Sequence, residues 1–192
     1  GSGDPLSVVN VTFKNFQMVA DGLDALTEGG AIIQVEENVS LGDISANFTD
    51  NTVNKVSSQD AQHRFSGGAI KNLGTIGNID GTFGRNVLQA DITGSGSANS
   101  VFFSGAALMN QGDIGTINGA FSDNKVNVTG NNIIAQVWGG ALRNDGHIGT
   151  IGSASEWVSF SNNEATATSS LSANAVGGAF SNAGQIDNFY AS

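Results

Sequence analysis

The side chains that could carry acid–base or metal chemistry in this chain are few, and none stands at a catalytic spacing. His63 and His147 are the two histidines, and neither has a companion at the H-x-x-H or H-E-x-x-H spacing of zinc sites. No G-x-S-x-G nucleophile elbow occurs either. A Ser–His–Asp triad assembled in space leaves no sequence motif, so that alternative stays open. We interpret both histidines as exposed polar residues and predict no catalytic residue, metal site or cofactor.

The carboxylates and arginines raise the question of a glycan-cleaving enzyme. Lyases and hydrolases of this kind need carboxylates clustered on one face. The candidate groups are spread through the chain: Asp43, Asp80, Asp113, Asp145, Arg64, Arg85 and Arg143. Asp80 and Asp113 do not share a repeat position, so turn residues explain them better than catalysis does. Asp21, Asp24 and Glu28 could meet on one side of a short helix, but a solvated face explains them better than a calcium site.

The amino-acid composition argues against several classes of binding partner. The chain has 17 acidic and 7 basic residues, a net charge of −10, so we expect no nucleic-acid binding and no docking on an anionic membrane. Without cysteine there are no disulfides and no thiolate metal sites. That absence fits a cytosolic protein, and equally a bacterial protein that crosses an oxidising periplasm. No apolar stretch is long enough to cross a membrane, and we expect no membrane insertion.

A Gly-Gly-Ala-apolar phrase recurs along the chain and identifies a repeat architecture. Its starts are 38, 38, 34 and 38 residues apart. The copies are GGAI (29–32), GGAI (67–70), GAAL (105–108), GGAL (139–142) and GGAF (177–180). We divide the chain into residues 1–28 and a repeat solenoid over 29–192, with units that start at 29, 67, 105, 139 and 177 and a truncated last unit. The first segment is interpreted as an expression scar followed by a cap or a divergent first coil.

Within each unit the apolar residues alternate, which predicts strands rather than helices. Ile79, Gly81 and Phe83 keep a period of two, and a corner at Gly77–Asn78 would let Ile76 point inward with Ile79. Only Gln17–Glu28 fits a helical spacing. The fold class expected is therefore all-β, a parallel β-helix with right-handed coiling.

The length of one coil follows from a packing argument. A 38-residue coil would have a perimeter of about 125 Å, and facing sheets pack only about 10 Å apart, so such a coil would be hollow. We therefore predict about 19 residues per coil and about 9–10 coils. Large aromatics fall near every half-period, and we predict that they stack in one ladder: Phe48, Phe65, Phe83, Phe103, Phe121, Trp138 and Phe160.

Two features could carry binding. The first is a row of repeated amides, Asn72, Asn110, Asn144 and Asn182. We interpret them as groups that hydrogen-bond the backbone at a corner, in preference to a ligand-binding stripe. The second is a set of segments that vary while the core repeats: Gln59–Arg64, Gly94–Ser100, Gly130–Ala135 and Ser153–Val158. If a site exists, we expect it on these loops; no single binding residue is identified.

The paired motifs GGA[ILV] and FxxN resemble the passenger domains of bacterial autotransporters, and in particular the polymorphic outer-membrane proteins of chlamydiae. FxxN stands here as FTDN (48–51), FGRN (83–86), FSDN (121–124) and FSNN (160–163). The resemblance implies a non-enzymatic adhesin or stalk on the bacterial cell surface, exported by type V secretion. Implied partners are a host glycan, a matrix or cell-surface protein, or further copies of the chain. A structural spacer or filament module, and a glycan-acting β-helix lyase or hydrolase, are the alternatives.

Overall fold

The computed structural model describes residues 5–21, 26–29, 32–57, 62–93 and 99–192. Within these ranges every regular element is a β-strand. None of the described residues belongs to a helix that is long and apolar enough to cross a membrane. These segments form strands because buried and more exposed residues alternate along them, so that each strand puts every second side chain into the core.

The strands follow one another in layers that repeat along the chain. The first layer holds β1 (Val8–Lys14), β2 (Gln17–Asp21), β3 (Leu26–Gly29) and β4 (Ile33–Val35). The second holds β5 (Ser40–Leu41), β6 (Ile44–Thr49), β7 (Thr52–Ser57), β8 (Gln62–Ser66) and β9 (Ile70–Asn72). The third holds β10 (Thr75–Gly84), β11 (Val87–Ile92), β12 (Asn99–Ser104) and β13 (Leu108–Asn110).

The last two layers follow the same order. The fourth holds β14 (Asp113–Ser122), β15 (Lys125–Gly130), β16 (Ile133–Trp138) and β17 (Leu142–Asn144). The fifth holds β18 (His147–Ile151), β19 (Ser159–Ser161), β20 (Glu164–Ser169), β21 (Ser172–Val176) and β22 (Phe180–Asn182), after which β23 (Gln185–Phe189) begins the next layer.

Equivalent strands of successive layers pair in parallel and build four sheets. Sheet A contains β1, β5, β6, β10, β14, β18, β19 and β23. Sheet B contains β2, β7, β11, β15 and β20, sheet C contains β3, β8, β12, β16 and β21, and sheet D contains β4, β9, β13, β17 and β22. Ile76 faces Ile114 and Phe83 faces Phe121 in this register, so like residues stack on like. The chain is therefore a parallel β-solenoid, as the repeat predicts.

The coil length predicted from the sequence is wrong. One turn of the solenoid takes about 38 residues, not 19, and the described strands stack in five layers and begin a sixth, instead of nine or ten coils. The 38-residue turn is not hollow because it closes around two separate cores. Sheets A and D enclose one, which includes Phe83 and Leu108, and sheets B and C enclose the other, which includes Leu88 and Phe103.

The single aromatic ladder is wrong for the same reason, because residues half a turn apart lie in different cores. Phe48, Phe83, Phe121 and Phe160 do form one stack, with ring centroids 4.7–5.1 Å apart, and Phe13 extends it at 4.9 Å. Phe65 and Phe103 form a second contact at 5.2 Å in the core of sheets B and C. Trp138 lies outside both cores and stacks on Phe102.

The helical spacing over Gln17–Glu28 does not produce a helix in the described residues. Gln17–Asp21 pairs in parallel with β7, and Leu26–Gly29 pairs with β8. The described part of this segment therefore belongs to the first layer of the solenoid. Pairing with β7 and β8 overrides the local spacing, because tertiary context outweighs a weak helical preference.

The FxxN motif is the corner between sheets A and B. The residue before each asparagine takes a left-handed conformation, as Arg85 (φ 52°) and Asp123 (φ 56°) do, and the asparagine turns inward. Asn86 donates from Nδ2 to the Asn124 side-chain oxygen at 2.9 Å, and Asn124 donates to that of Asn163 at 2.9 Å. Each amide also donates to a phenylalanine carbonyl one layer back, as Asn124 does to Phe83 O at 2.8 Å. The motif is thus a corner held by a buried amide ladder.

A second amide ladder lines the corner between sheets D and A. Asn72 donates to Asn110, Asn110 to Asn144 and Asn144 to Asn182, at 2.8, 2.8 and 2.7 Å. Asn72 also donates to Gly74 O and Asp113 O. This confirms the structural interpretation of the asparagine row. The next residues rise into sheet A, where Ile76 and Ile79 are both buried, as predicted. The predicted corner at Gly77–Asn78 is wrong, because β10 runs through these residues as one strand in which Gly77 is missing from the pairing register.

The Gly-Gly-Ala phrase makes the corner between sheets C and D. Gly105 and Gly139 have φ of 61° and 62°, in the left-handed region. A Cβ on Gly139 would lie 2.1 Å from Leu142 O, so no side chain fits there. Residues 30 and 31 of the first copy lie outside the described residues.

Removing one rung of an amide ladder should lower the stability of the whole solenoid. Asn124→Ala removes the acceptor of the Asn86 backbone N–H, one of the two acceptors of Asn86 Nδ2 and the side-chain donor to Phe83 O, all in a buried site. We expect the free energy of unfolding to fall by about 2–4 kcal/mol, measured by urea denaturation. Asn127→Ala, an exposed asparagine of β15, is the matched control and should change it by less than about 0.5 kcal/mol. Equal effects of the two variants would contradict the ladder's role.

Candidate functional site

A groove lies where the outer faces of sheets C and D meet, and its volume is about 270 Å³. It follows from the left-handed glycine corner, which folds these two outer faces toward each other. The described lining residues are Arg64, Phe65, Ser66, Lys71, Phe102, Ser104, Met109, Gln111, Trp138, Arg143 and Asp145. They come from three successive layers, so the groove runs along the solenoid axis. We call it the C/D groove.

One wall of the C/D groove is a column of Arg64, Phe102 and Trp138 on sheet C, which Arg143 of sheet D reaches at its far end. The Arg64 guanidinium lies 5.0 Å from the centre of the Phe102 ring. Phe102 stacks on Trp138 with centroids 6.0 Å apart and planes 6° from parallel. The Arg143 guanidinium lies 5.5 Å from the Trp138 ring. Cation–π contacts of this kind hold the guanidinium groups over the rings.

The other wall comes from the outward residues of sheet D. One position of sheet D is occupied in successive layers by Lys71, Met109 and Arg143. The first two side chains are almost fully buried. Arg143 is held on two sides: its Nε lies 2.5 Å from an Asp145 carboxylate oxygen, and its Nη1 donates to Ser181 Oγ at 2.7 Å. Its side chain is 17 % exposed, so it is fixed before any ligand arrives.

The charge of the C/D groove is opposite to that of the chain. Its described lining has three cations, Arg64, Lys71 and Arg143, and one carboxylate, Asp145. The whole chain has only 7 basic residues against 17 acidic ones. The groove is therefore a local positive region on an acidic molecule, beside two aromatic rings.

This site does not lie on the loops that the sequence favoured. Of those segments, residues 59–61 and 94–98 lie outside the described residues, and the rest of both belongs to β8 and β12. Gly130–Ala135 is a tight turn followed by β16. Ser153–Val158 is a surface loop, with Trp157 60 % exposed, on the sheet A side of the molecule. Arg64 was included in the first segment, but its partners on neighbouring strands could not be identified from one sequence.

The interpretation of His63 as an exposed residue is wrong. Its side chain is fully buried between sheets B and C, and neither ring nitrogen has a hydrogen-bond partner among the described residues. His63 aligns with Val101 in the next layer, which shows that it occupies a core position. Burial, and then the charge of Lys55, holds the pKa of His63 below its ordinary value of 6.5.

His147 lies on the surface, with its side chain 40 % exposed, as expected. It bridges two carboxylates of the layers on either side: Nε2 is 3.1 Å from Asp187 and Nδ1 is 3.4 Å from Asp113. The hydrogen bond to Asp187, with a smaller effect of Asp113, raises the pKa of His147 above 6.5.

Two of the remaining candidate carboxylates have separate structural partners. Asp43 accepts from the backbone and side-chain amides of Asn78, and Asp145 pairs with Arg143. In the part of the chain that the structure describes, no three His, Cys, Asp or Glu side chains are grouped to hold a metal ion. Asp24 lies outside the described residues, as do the side chains of Asp21 and Glu28.

Comparison of the chain with protein-family models, with curated proteins and with solved structures gives no match.

Replacing His63 should make the protein lose less stability when the pH is lowered. Because its folded pKa lies below 6.5, the unfolded chain takes up the proton first, and stability falls as the pH drops below about 6.5. His63→Val, with the side chain of the aligned Val101, should be more stable by about 1 kcal/mol or more at pH 7 and should lose less below pH 6.5. Urea unfolding from pH 7.5 to 5 tests this; parallel pH profiles of variant and parent would contradict it.

The effect of His147→Asn on stability should depend on pH in the opposite direction. A raised folded pKa adds stability that is fully present below 6.5 and is lost as the pH rises through the folded value. The variant should therefore be less stable than the parent at pH 5.5 and similar to it at pH 8.5. Thermal unfolding at the two pH values measures this. A deficit that is the same at both would show that the ion pairs with Asp113 and Asp187 do not stabilise the fold.

Proposed function

We propose that this chain is a segment of a non-enzymatic bacterial surface adhesin, a solenoid passenger of an autotransporter-like protein that is displayed outside the cell. The observation that carries the proposal is the C/D groove, in which fixed guanidinium groups and partly exposed rings of three layers face solvent together. Arginine and tryptophan are the residue types that dominate binding energy at protein interfaces. The proposed partners are a host glycan or a matrix or cell-surface protein.

The chemistry of the groove favours binding over catalysis. Glycoside hydrolysis uses two carboxyl groups on opposite sides of the bond to be broken. The described lining of the C/D groove has one, Asp145, and it is paired with Arg143. A guanidinium does not release its proton near neutral pH, so Arg64 and Arg143 are suited to holding an anion and not to moving a proton.

The scaffold suits display outside a cell. Its corners are held by buried amide ladders and its layers by continuous parallel pairing, without a disulfide. Such a structure extends by adding layers, each of which contacts only its neighbours. It also leaves the outward positions free to vary, and these positions form the C/D groove.

The proposal is tested by binding of the purified chain to cultured epithelial cells and to immobilised matrix proteins. We expect saturable binding that Arg64→Gln with Trp138→Leu weakens about tenfold or more, since both side chains lie in one wall of the groove. The control is Arg85→Gln with Lys125→Gln, which removes two exposed cations elsewhere and should leave binding unchanged.

Three results would contradict the proposal. Absence of binding to any cell or matrix surface would favour a spacer module. New reducing ends or unsaturated products on incubation with polysaccharides would show an enzyme. Failure of antibodies against the chain to label intact bacteria that produce the full-length protein would contradict surface display.

A further inference from the structure

We propose that the C/D groove binds a single sugar residue that bears a carboxylate, a sialic or uronic acid at the end or within a glycan chain. This inference rests on the proposed adhesin function and names the ligand of its site. Three features carry it: the sign of the charge in the groove, the arrangement of the rings and the size of the space.

The charge selects an anion. Arg64 and Arg143 lie at the two ends of the ring column, and Lys71 lies in the opposite wall. Asp145 offsets the charge of Arg143, and the exposed Arg64 guanidinium at the other end of the column is placed to meet an anion. A guanidinium binds a carboxylate through two parallel N–H···O bonds, which is stronger and more directional than a hydrogen bond between neutral groups.

The net charge of the chain limits how much negative charge the ligand can carry. At −10, the molecule as a whole repels a long polyanion such as a nucleic acid or a densely sulfated chain. A ligand with one carboxylate gains from the local cations and meets little of that repulsion. The balance therefore favours an isolated acidic sugar over a polyanion.

The rings select a sugar over a simple carboxylate. Phe102 and Trp138 are stacked with their planes 6° from parallel, and both are partly exposed, so they give one wall of the groove an apolar surface. A pyranose ring has an apolar C–H face that packs on such a surface and polar edges that reach the groups around it. Ser66, Ser104 and Gln111 line the same space and offer hydrogen bonds to hydroxyl groups.

The size and rigidity of the groove fit one sugar residue. Its volume of about 270 Å³ lies just below the range for drug-sized ligands, about 300–1,000 Å³. Arg143 is already held by Asp145 and Ser181, so little side-chain order is lost on binding. The groove is open along the axis, which leaves room for the rest of a glycan chain.

Tryptophan fluorescence provides a direct test, because the chain has two tryptophans and one of them lines the groove. Trp157→Phe removes the exposed tryptophan of the distant loop and leaves Trp138 as the reporter. The titrants are 3′-sialyllactose against lactose, and a hyaluronan tetrasaccharide against chitotetraose. The first pair differs by one sialic acid, and the second compares uronic acids with neutral sugars, so the two pairs distinguish the two sources of the carboxylate.

We expect a saturable change with at least one acidic sugar and binding at least about tenfold weaker with its neutral counterpart. Arg64→Gln should weaken the acidic sugar about tenfold or more, and raising the salt concentration should weaken it too. Arg85→Gln, matched in charge but remote from the groove, should have no effect. Equal binding of acidic and neutral sugars, no binding of either, or an unchanged affinity in Arg64→Gln would overturn the inference.

The result of the sugar titration can be distinguished from that of the cell-binding test of the adhesin proposal. If the chain binds cells while neither acidic sugar binds, the ligand assignment is wrong and the adhesin function stands. If sialyllactose binds but no cell or matrix surface does, the groove is a sugar site and the adhesin function is wrong.

Discussion

The stacking of each layer on a copy of itself is the constraint on which this structure depends. Parallel pairing puts every buried side chain above its equivalent in the previous layer, so a residue type that pairs well with itself is stabilising at each step. Asparagine does this through its amide, which donates to one layer and accepts from the other, as at Asn110. Phenylalanine does it through stacked rings less than 5.2 Å apart in the ladder of Phe48, Phe83 and Phe121.

The corners convert this stacking into a defined cross-section. Between sheets A and B and between sheets D and A, a buried asparagine satisfies backbone carbonyls that the turn leaves without partners. Between sheets C and D the turn depends on glycine, since only a residue without a side chain fits at Gly139. These three corners allow a turn of about 38 residues to close around two cores instead of one.

The proposed binding site results from the shape of one of these corners. The glycine turn brings the outer faces of sheets C and D together, and outward positions are free of the requirement to repeat. Phe102 faces Arg64 on one side and Gln136 on the other, while the inward Phe103 faces Phe65 and Val137. Variation is thus concentrated on the face where it costs no core packing, and the basic and aromatic residues collect there.

The sequence by itself determined the solenoid, the inward positions of the repeated isoleucines and phenylalanines and the role of the asparagine row, because these follow from a period of two inside a longer repeat. Only the tertiary structure decided that one turn holds two cores, that His63 lies inside one of them, and that Arg64, Phe102, Trp138 and Arg143 share a groove. The physical reason is that a repeat specifies which residues stack along the axis. Which sheets face each other across a turn depends instead on the path of the backbone between corners, and that path is a property of the whole turn.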